Sequence, residues 1–155
     1  MASIREELAD HRFFAQLPDK LVDRVADHAQ EITFAVGEQL ITAGTSAQCC
    51  WAIQSGRVTV GIYVPHAGLH ALETLHSGDL LGWSWLLLPH RWTFDAVGAK
   101  SGTALRIEAQ PMRDLFETDP ALGLPLVLAL ATVMDERLQS ARARLTNFYG
   151  DEDDG

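Results

Sequence analysis

Cys50-Trp51-Ala52-Ile53-Gln54-Ser55-Gly56-Arg57-Val58-Thr59-Val60-Gly61-Ile62 is the stretch that decides the fold. Before Ser55-Gly56, Cys50, Ala52 and Gln54 alternate with Trp51 and Ile53; after it, Val58, Val60 and Ile62 recur at every second place. A period of two on both sides of a glycine turn predicts two β-strands, because successive side chains of a strand point to opposite faces. The pattern continues outward in both directions. Ile32, Phe34 and Val36 alternate before Gly37, Leu40-Ile41 precede Gly44, and residues 71–75 precede Ser77-Gly78-Asp79. Residues 94–99 and 104–107 flank Gly102. Short strands punctuated by turn glycines over residues 31–108 predict a mainly β protein, an antiparallel sandwich or jelly roll.

Helical spacing flanks this region. Leu8, His11, Phe14 and Leu17, then Leu21, Val22, Val25, Ala26 and Ala29, predict helices over 5–30, broken at Pro18-Asp19. Residues 110–148 return to helix: a short one at 111–116, ended by Asp119-Pro120, and a long one over 122–148. The last carries Val127, Leu130, Met134, Leu138, Ala141, Leu145 and Phe148 at spacings of three or four. At 155 residues and 47% hydrophobic, the chain reads as one globular domain over 1–150 with an acidic tail at 151–155.

Charge and composition exclude several functions. Twelve basic against 21 acidic residues give −9, and removing the four charges of Asp151-Glu152-Asp153-Asp154 still leaves −5, so direct DNA binding is not expected. No apolar run is long enough for a membrane span, and the charged start Arg5-Glu6-Glu7 is unlike a signal peptide. Adjacent Cys49 and Cys50 rarely close a disulfide, which points to a reducing, cytoplasmic setting. The six histidines show no metal-type pairing, with His66 and His70 placed around Gly68 in a hairpin loop. There is no nucleophile elbow, P-loop or Rossmann glycine pattern, so no enzyme is expected.

Three short motifs then carry a family resemblance. Gly37-Glu38-Gln39-Leu40 with Gly44 resembles the first glycine turn of the cyclic nucleotide-binding domain, and residues 51–60 resemble its central strand–glycine–strand segment. Leu75-His76-Ser77-Gly78-Asp79-Leu80-Leu81-Gly82 is similar to the entry of its phosphate-binding cassette. The order of elements agrees from about Phe14 to Leu145. The resemblance implies a divergent, stand-alone sensor domain of the Crp/Fnr kind, ending where transcription factors of that group continue into a helix-turn-helix. It also implies a helix just after the cassette glycine, an acidic residue for the ribose hydroxyl and an arginine for the cyclic phosphate. Here the glycine is Gly82, the acidic position holds Trp83, the arginine position holds Thr93, and Phe94 follows. An arginine–phosphate pair contributes about 1.5–3 kcal/mol, so ordinary cyclic AMP binding is not expected.

The cassette reads Gly82-Trp83-Ser84-Trp85-Leu86-Leu87-Leu88-Pro89-His90-Arg91-Trp92-Thr93-Phe94, with three of the four tryptophans inside it. Either the indoles fill the cavity, or they stack on a planar ligand while Ser84, Arg91 or Thr93 holds its polar end. Arg91 is the one guanidinium of the cassette and stands two places before the expected arginine; otherwise it pairs with Asp95 or Asp79. A haem-type ligand would have His76, His90 or Cys50 to draw on, and their spacing does not favour one. Two functions remain open. One is a regulatory sensor for a cyclic nucleotide or another small planar ligand that signals to a partner protein; the other is a ligand-free dimerisation or docking module. The long apolar stripe predicts a homodimer through the C-terminal helix, unless it folds back near Phe13 and Phe14.

Overall fold

The computed structural model describes residues 2–153, with side chains through residue 147. Helices α1 (Ile4–Asp10) and α2 (Asp19–Ala26) are joined through a 3-10 helix at Phe14–Gln16. The strands follow as β1 (Ala29–Phe34), β2 (Gln39–Ile41), β3 (Cys49–Ile53), β4 (Arg57–Val64), β5 (Gly68–Leu75), β6 (Leu80–Leu81), β7 (Asp95–Lys100) and β8 (Gly102–Glu108). Two helices close the order, α3 (Ala109–Thr118) and α4 (Pro120–Asp153). The strands form two antiparallel sheets, β1-β8-β3-β6 and β2-β7-β4-β5, which together bury Ile41, Ile53, Val58, Leu81, Leu105 and Ile107. This is the jelly-roll architecture expected from the alternating pattern.

Four features differ from the sequence reading, each for a physical reason. Helical structure stops at Ala26 and β1 begins at Ala29, because Ile107 and Arg106 of β8 offer Ala29 and Gln30 antiparallel partners. All five residues of β3 are buried, since its second face lies under helices and loops instead of solvent. His66 sits in the β4–β5 turn at φ +68°, but His70 is inside β5, paired with Ile62. Pro120 does not merely end α3; it opens α4, where a missing N–H costs nothing.

Asp119 caps that start, its carboxylate accepting from Leu122 N at 3.3 Å and its carbonyl from Gly123 N at 3.0 Å. Gly123 lets α4 press on α3, for a Cβ there would lie 2.7 Å from Phe116 Cδ1. The helix then runs through Pro125 to Asp153, past residue 148 where the apolar stripe stops. Residues 154 and 155 of the acidic tail lie outside the described residues. Among the described residues no helix is long and apolar enough to cross a membrane.

The N-terminal helices are tied to the sandwich through buried His11. Its Nε2 meets the Ile53 carbonyl at 3.0 Å and its Nδ1 accepts from Phe13 N at 3.2 Å, an arrangement that suits the neutral ring. Burial pushes the His11 pKa below its usual value. The folded state therefore binds fewer protons than the unfolded one, and stability falls as pH drops below about 6.5. Thermal melts should show a smaller loss between pH 7 and 5.5 in His11→Gln than in the wild type, although the variant starts about 1–3 kcal/mol less stable.

Candidate functional site

The cassette lies between β6 and β7, and its backbone is fixed from both ends. Gly82 has φ +93°, and a Cβ on it would come within 2.6 Å of the Trp92 ring, so only glycine turns there. Residues 90–92 are zipped to the β2–β3 connection: Ala47 N donates to the His90 carbonyl at 2.7 Å, Trp92 N to Thr45 O at 2.9 Å and Gly44 N to Trp92 O at 2.8 Å. That pairing sends alternate side chains to opposite sides. Trp92 goes inward, tilted 6.0 Å from Trp51 and edge-on to Phe94 at 5.8 Å. Arg91 goes outward, where its Nη1 donates to the Gly44 carbonyl at 2.8 Å.

The other end is held by α3. Trp85 is 1% exposed and stacks on Phe116 at 6.3 Å with an interplanar angle of 14°. Its Nε1 donates to Gly82 O at 3.2 Å, and its own carbonyl accepts from Arg113 at 2.8 Å. Residues 84–86 make a single turn closed by Leu86 N to Trp83 O at 3.0 Å, not the helix the resemblance implies. The row of N–H groups that a helix start would aim at a phosphate is therefore not formed.

Trp83, Thr93 and Phe94 line a cavity of about 270 Å³. Val60 and Ile62 of β4, Leu72 and Glu73 of β5, Leu81 of β6 and Arg137 of α4 complete its lining. The Arg137 guanidinium lies over the Trp83 ring at 4.6 Å, its Nε is 3.4 Å from Glu73 Oε1, and its Nη2 donates to the Leu80 carbonyl. Its side chain is 17% exposed. Burial pulls the Arg137 pKa down, and the Glu73 charge works in the opposite direction. On its far flank the Arg137–Glu73 pair borders a more polar groove of about 500 Å³, shared with Arg12, Phe13 and Asp79.

The sequence matches the profile of the cyclic nucleotide-binding domain over residues 31–119. The chain belongs to that family. Solved structures agree in fold. A putative cyclic nucleotide-binding protein from Geobacter metallireducens GS-15 is 25% identical, with TM-score 0.79 over 89% of this chain and 99% of its own. The sensor domain of the transcriptional regulator DNR from Pseudomonas aeruginosa is 16% identical, with TM-score 0.67 over 85% of this chain and 89% of its own. The regulatory subunit of a cAMP-independent protein kinase A from Trypanosoma brucei is 18% identical, with TM-score 0.68 over 89% of this chain and 48% of its own. No curated protein sequence matches significantly.

Within this cyclic nucleotide-binding domain the cassette residues divide sharply. Trp83, Thr93 and Phe94 reach the cavity, Gly82 shapes its rim, and Ser84 is half-buried outside its lining. Trp85 and Trp92 are core residues, so the three indoles do not form one stacking surface. Arg91 does not line the cavity, and neither Asp95 nor Asp79 is its partner: Asp95 is occupied by Gln39 and Ala43 N, Asp79 by Arg12. Burial lifts the Cys49 thiol to about 11 and Cys50 higher still, which makes both poor nucleophiles. Arg137 and Glu73 are the site residues that sequence reasoning missed. A signal existed: Arg137 follows Leu130 by seven places and Val133 by four, on the helix face that points inward.

The division predicts separate stability effects. Trp85→Ala and Trp92→Ala should each cost about 3–5 kcal/mol in urea unfolding, as expected for large buried rings. Trp83→Ala, at the cavity edge, should cost less than about 2 kcal/mol.

Proposed function

We propose that this domain is a non-catalytic regulatory sensor. A small ligand enters the 270 Å³ cavity, and α4 passes its presence to a partner protein. The carrying observation is that Arg137, a residue of the helix leading away from the sandwich, forms one wall of the cavity. An occupant of the cavity touches α4 through Arg137, and a better fit to one position of that helix than to another is the condition for a population shift. The neighbouring sensor domain of a transcriptional regulator and a kinase regulatory subunit support a regulatory role.

The ligand is not cyclic AMP in the usual pose. Trp83 offers no acceptor to a ribose hydroxyl, Thr93 offers no charge to a phosphate, and the N–H row of a cassette helix is missing. The trypanosome protein, described as cAMP-independent, is a precedent for this fold without that response. Calorimetry should detect no cyclic AMP or cyclic GMP binding at micromolar concentration; a dissociation constant in that range, lost on mutating the cassette, would overturn this reading. A cavity ligand should instead raise the melting temperature and quench Trp83 fluorescence. Saturation at 100 times the dissociation constant adds about 2.7 kcal/mol.

One observation favours the docking-module reading as the second choice: Arg137 already has Glu73 and the Trp83 ring as partners without a ligand. A metabolite screen with neither a thermal shift nor a fluorescence change would select it.

Both readings involve a second copy on α4, along the Leu138 to Leu145 half of the stripe expected from sequence, since its first half is covered by the body. Leu130 is 0% exposed, while Val127 and Met134 are half-buried against the body. The outward apolar residues are Leu124 at 55%, Leu128 at 58%, Leu138 at 48% and Leu145 at 58% exposed, with Ala131 and Ala141 beside them; the Phe148 side chain lies outside the described residues. Leu124, Ala131, Leu138 and Leu145 recur every seven residues, the spacing of a two-helix seam. Light scattering should give twice the chain mass, and Leu138→Asp with Leu145→Asp should give folded monomers. A wild-type mass of one chain contradicts the dimer.

A further inference from the structure

We infer that Arg137 is the anion-binding group of the cavity, and that the ligand is a compact apolar or aromatic monoanion whose single carboxylate, phosphate or sulfonate takes the place of Glu73 on the guanidinium. The inference rests on the sensor reading above and names the ligand class of the same cavity.

Among the residues lining the cavity, Arg137 alone carries a positive charge. Its present satisfaction is partial. Nε faces Glu73 at 3.4 Å, beyond the 2.7–2.9 Å of a good charge-assisted hydrogen bond, and Nη2 is used by the Leu80 carbonyl. Among the described residues nothing hydrogen-bonds to Nη1. A planar five-donor fork with one distant carboxylate can still accept a well-placed anion, and a mostly buried cation gains more from one than a solvated cation does.

The remaining wall sets the body of the ligand. Val60, Ile62, Leu72, Leu81, Phe94 and Trp83 are apolar, and about 270 Å³ is below the roughly 300–1,000 Å³ common for small-molecule pockets. Charge sets the number of anionic groups. The chain carries −9, Glu73, Asp79 and Glu136 all border the groove beside Arg137, and the groove's other cation, Arg12, is already paired with Asp79, so a second negative charge would meet like charge. One anion on a small apolar frame satisfies all of these limits. Its entry frees Glu73 and changes what holds α4, which links binding to the helix.

The matched probes 2-naphthoate and 2-naphthamide test this by calorimetry, since they share a ring system and differ in the charge. Wild-type protein should bind the naphthoate about tenfold or more tightly than the amide, a difference of about 1.4 kcal/mol. Arg137→Gln should bring the naphthoate-to-amide ratio to about one, whatever the altered wall does to both probes alike, and Glu73→Gln, which keeps Arg137 and removes its competitor, should raise that ratio. Leu72→Trp, which narrows the cavity mouth, should weaken both. If Arg137→Gln and Glu73→Gln leave the preference untouched while Leu72→Trp weakens both probes, the cavity reading stands and the anion inference is overturned. If neither probe binds, or Leu72→Trp changes nothing, the sensor reading fails and the inference with it. Circular dichroism melts of each variant separate these outcomes from unfolding.

Discussion

A guanidinium taken out of water must keep its partners, and Arg137 draws those partners from three separate pieces of the sandwich. Glu73 belongs to β5, the Leu80 carbonyl to β6 and the Trp83 ring to the cassette. Leaving a buried charge uncompensated costs several kcal/mol, so α4 cannot leave this place without exchanging these contacts for water or for another anion. Further down the same helix the restraint disappears. Leu138 and Leu145 are about half exposed among the described residues. Arg137 thus stands where α4 passes from packed wall to projecting arm.

The cassette is built in the opposite sense. Its backbone is bonded to the β2–β3 connection on one side, and its Trp85 is clamped by Phe116 and Arg113 of α3 on the other. Burying two indoles in this way makes the loop a rigid floor and removes the helix start that would receive a phosphate. In the proposed mechanism the floor stays and the wall moves. This reverses the emphasis of a site whose charged contacts come from the cassette, and it follows from where the buried charge is found: on the helix.

How much of this was legible depends on whether the deciding signal is local. The β-strands around Ser55-Gly56 were, because period-two alternation and turn glycines are written within ten residues of each other. The starts of β1 at Ala29 and of β5 at Gly68 were not, since they depend on which partner strand lies alongside. The tryptophan cluster is visible in the sequence, but sequence cannot tell an indole facing a cavity from one facing the core; for Trp92 that is decided by the alternation of residues 90–92 against 44–47. Arg137 was passed over because a charged residue on a helix ordinarily marks the solvated face. Its seven-residue distance from fully buried Leu130 was the contrary signal.

The central claim is that the Arg137–Glu73 contact holds α4 against the cavity, and a distance measurement tests it most directly. Spin labels at exposed Lys100 on β7 and exposed Gln139 on α4 leave the fold's own thiols aside, for Cys49 and Cys50 are buried with raised pKa values. Double electron–electron resonance on wild-type protein diluted with unlabelled chains should show one narrow distance, and Arg137→Gln should broaden it or shift it to longer values in an otherwise folded sandwich. An unchanged narrow distribution in that variant would contradict the account.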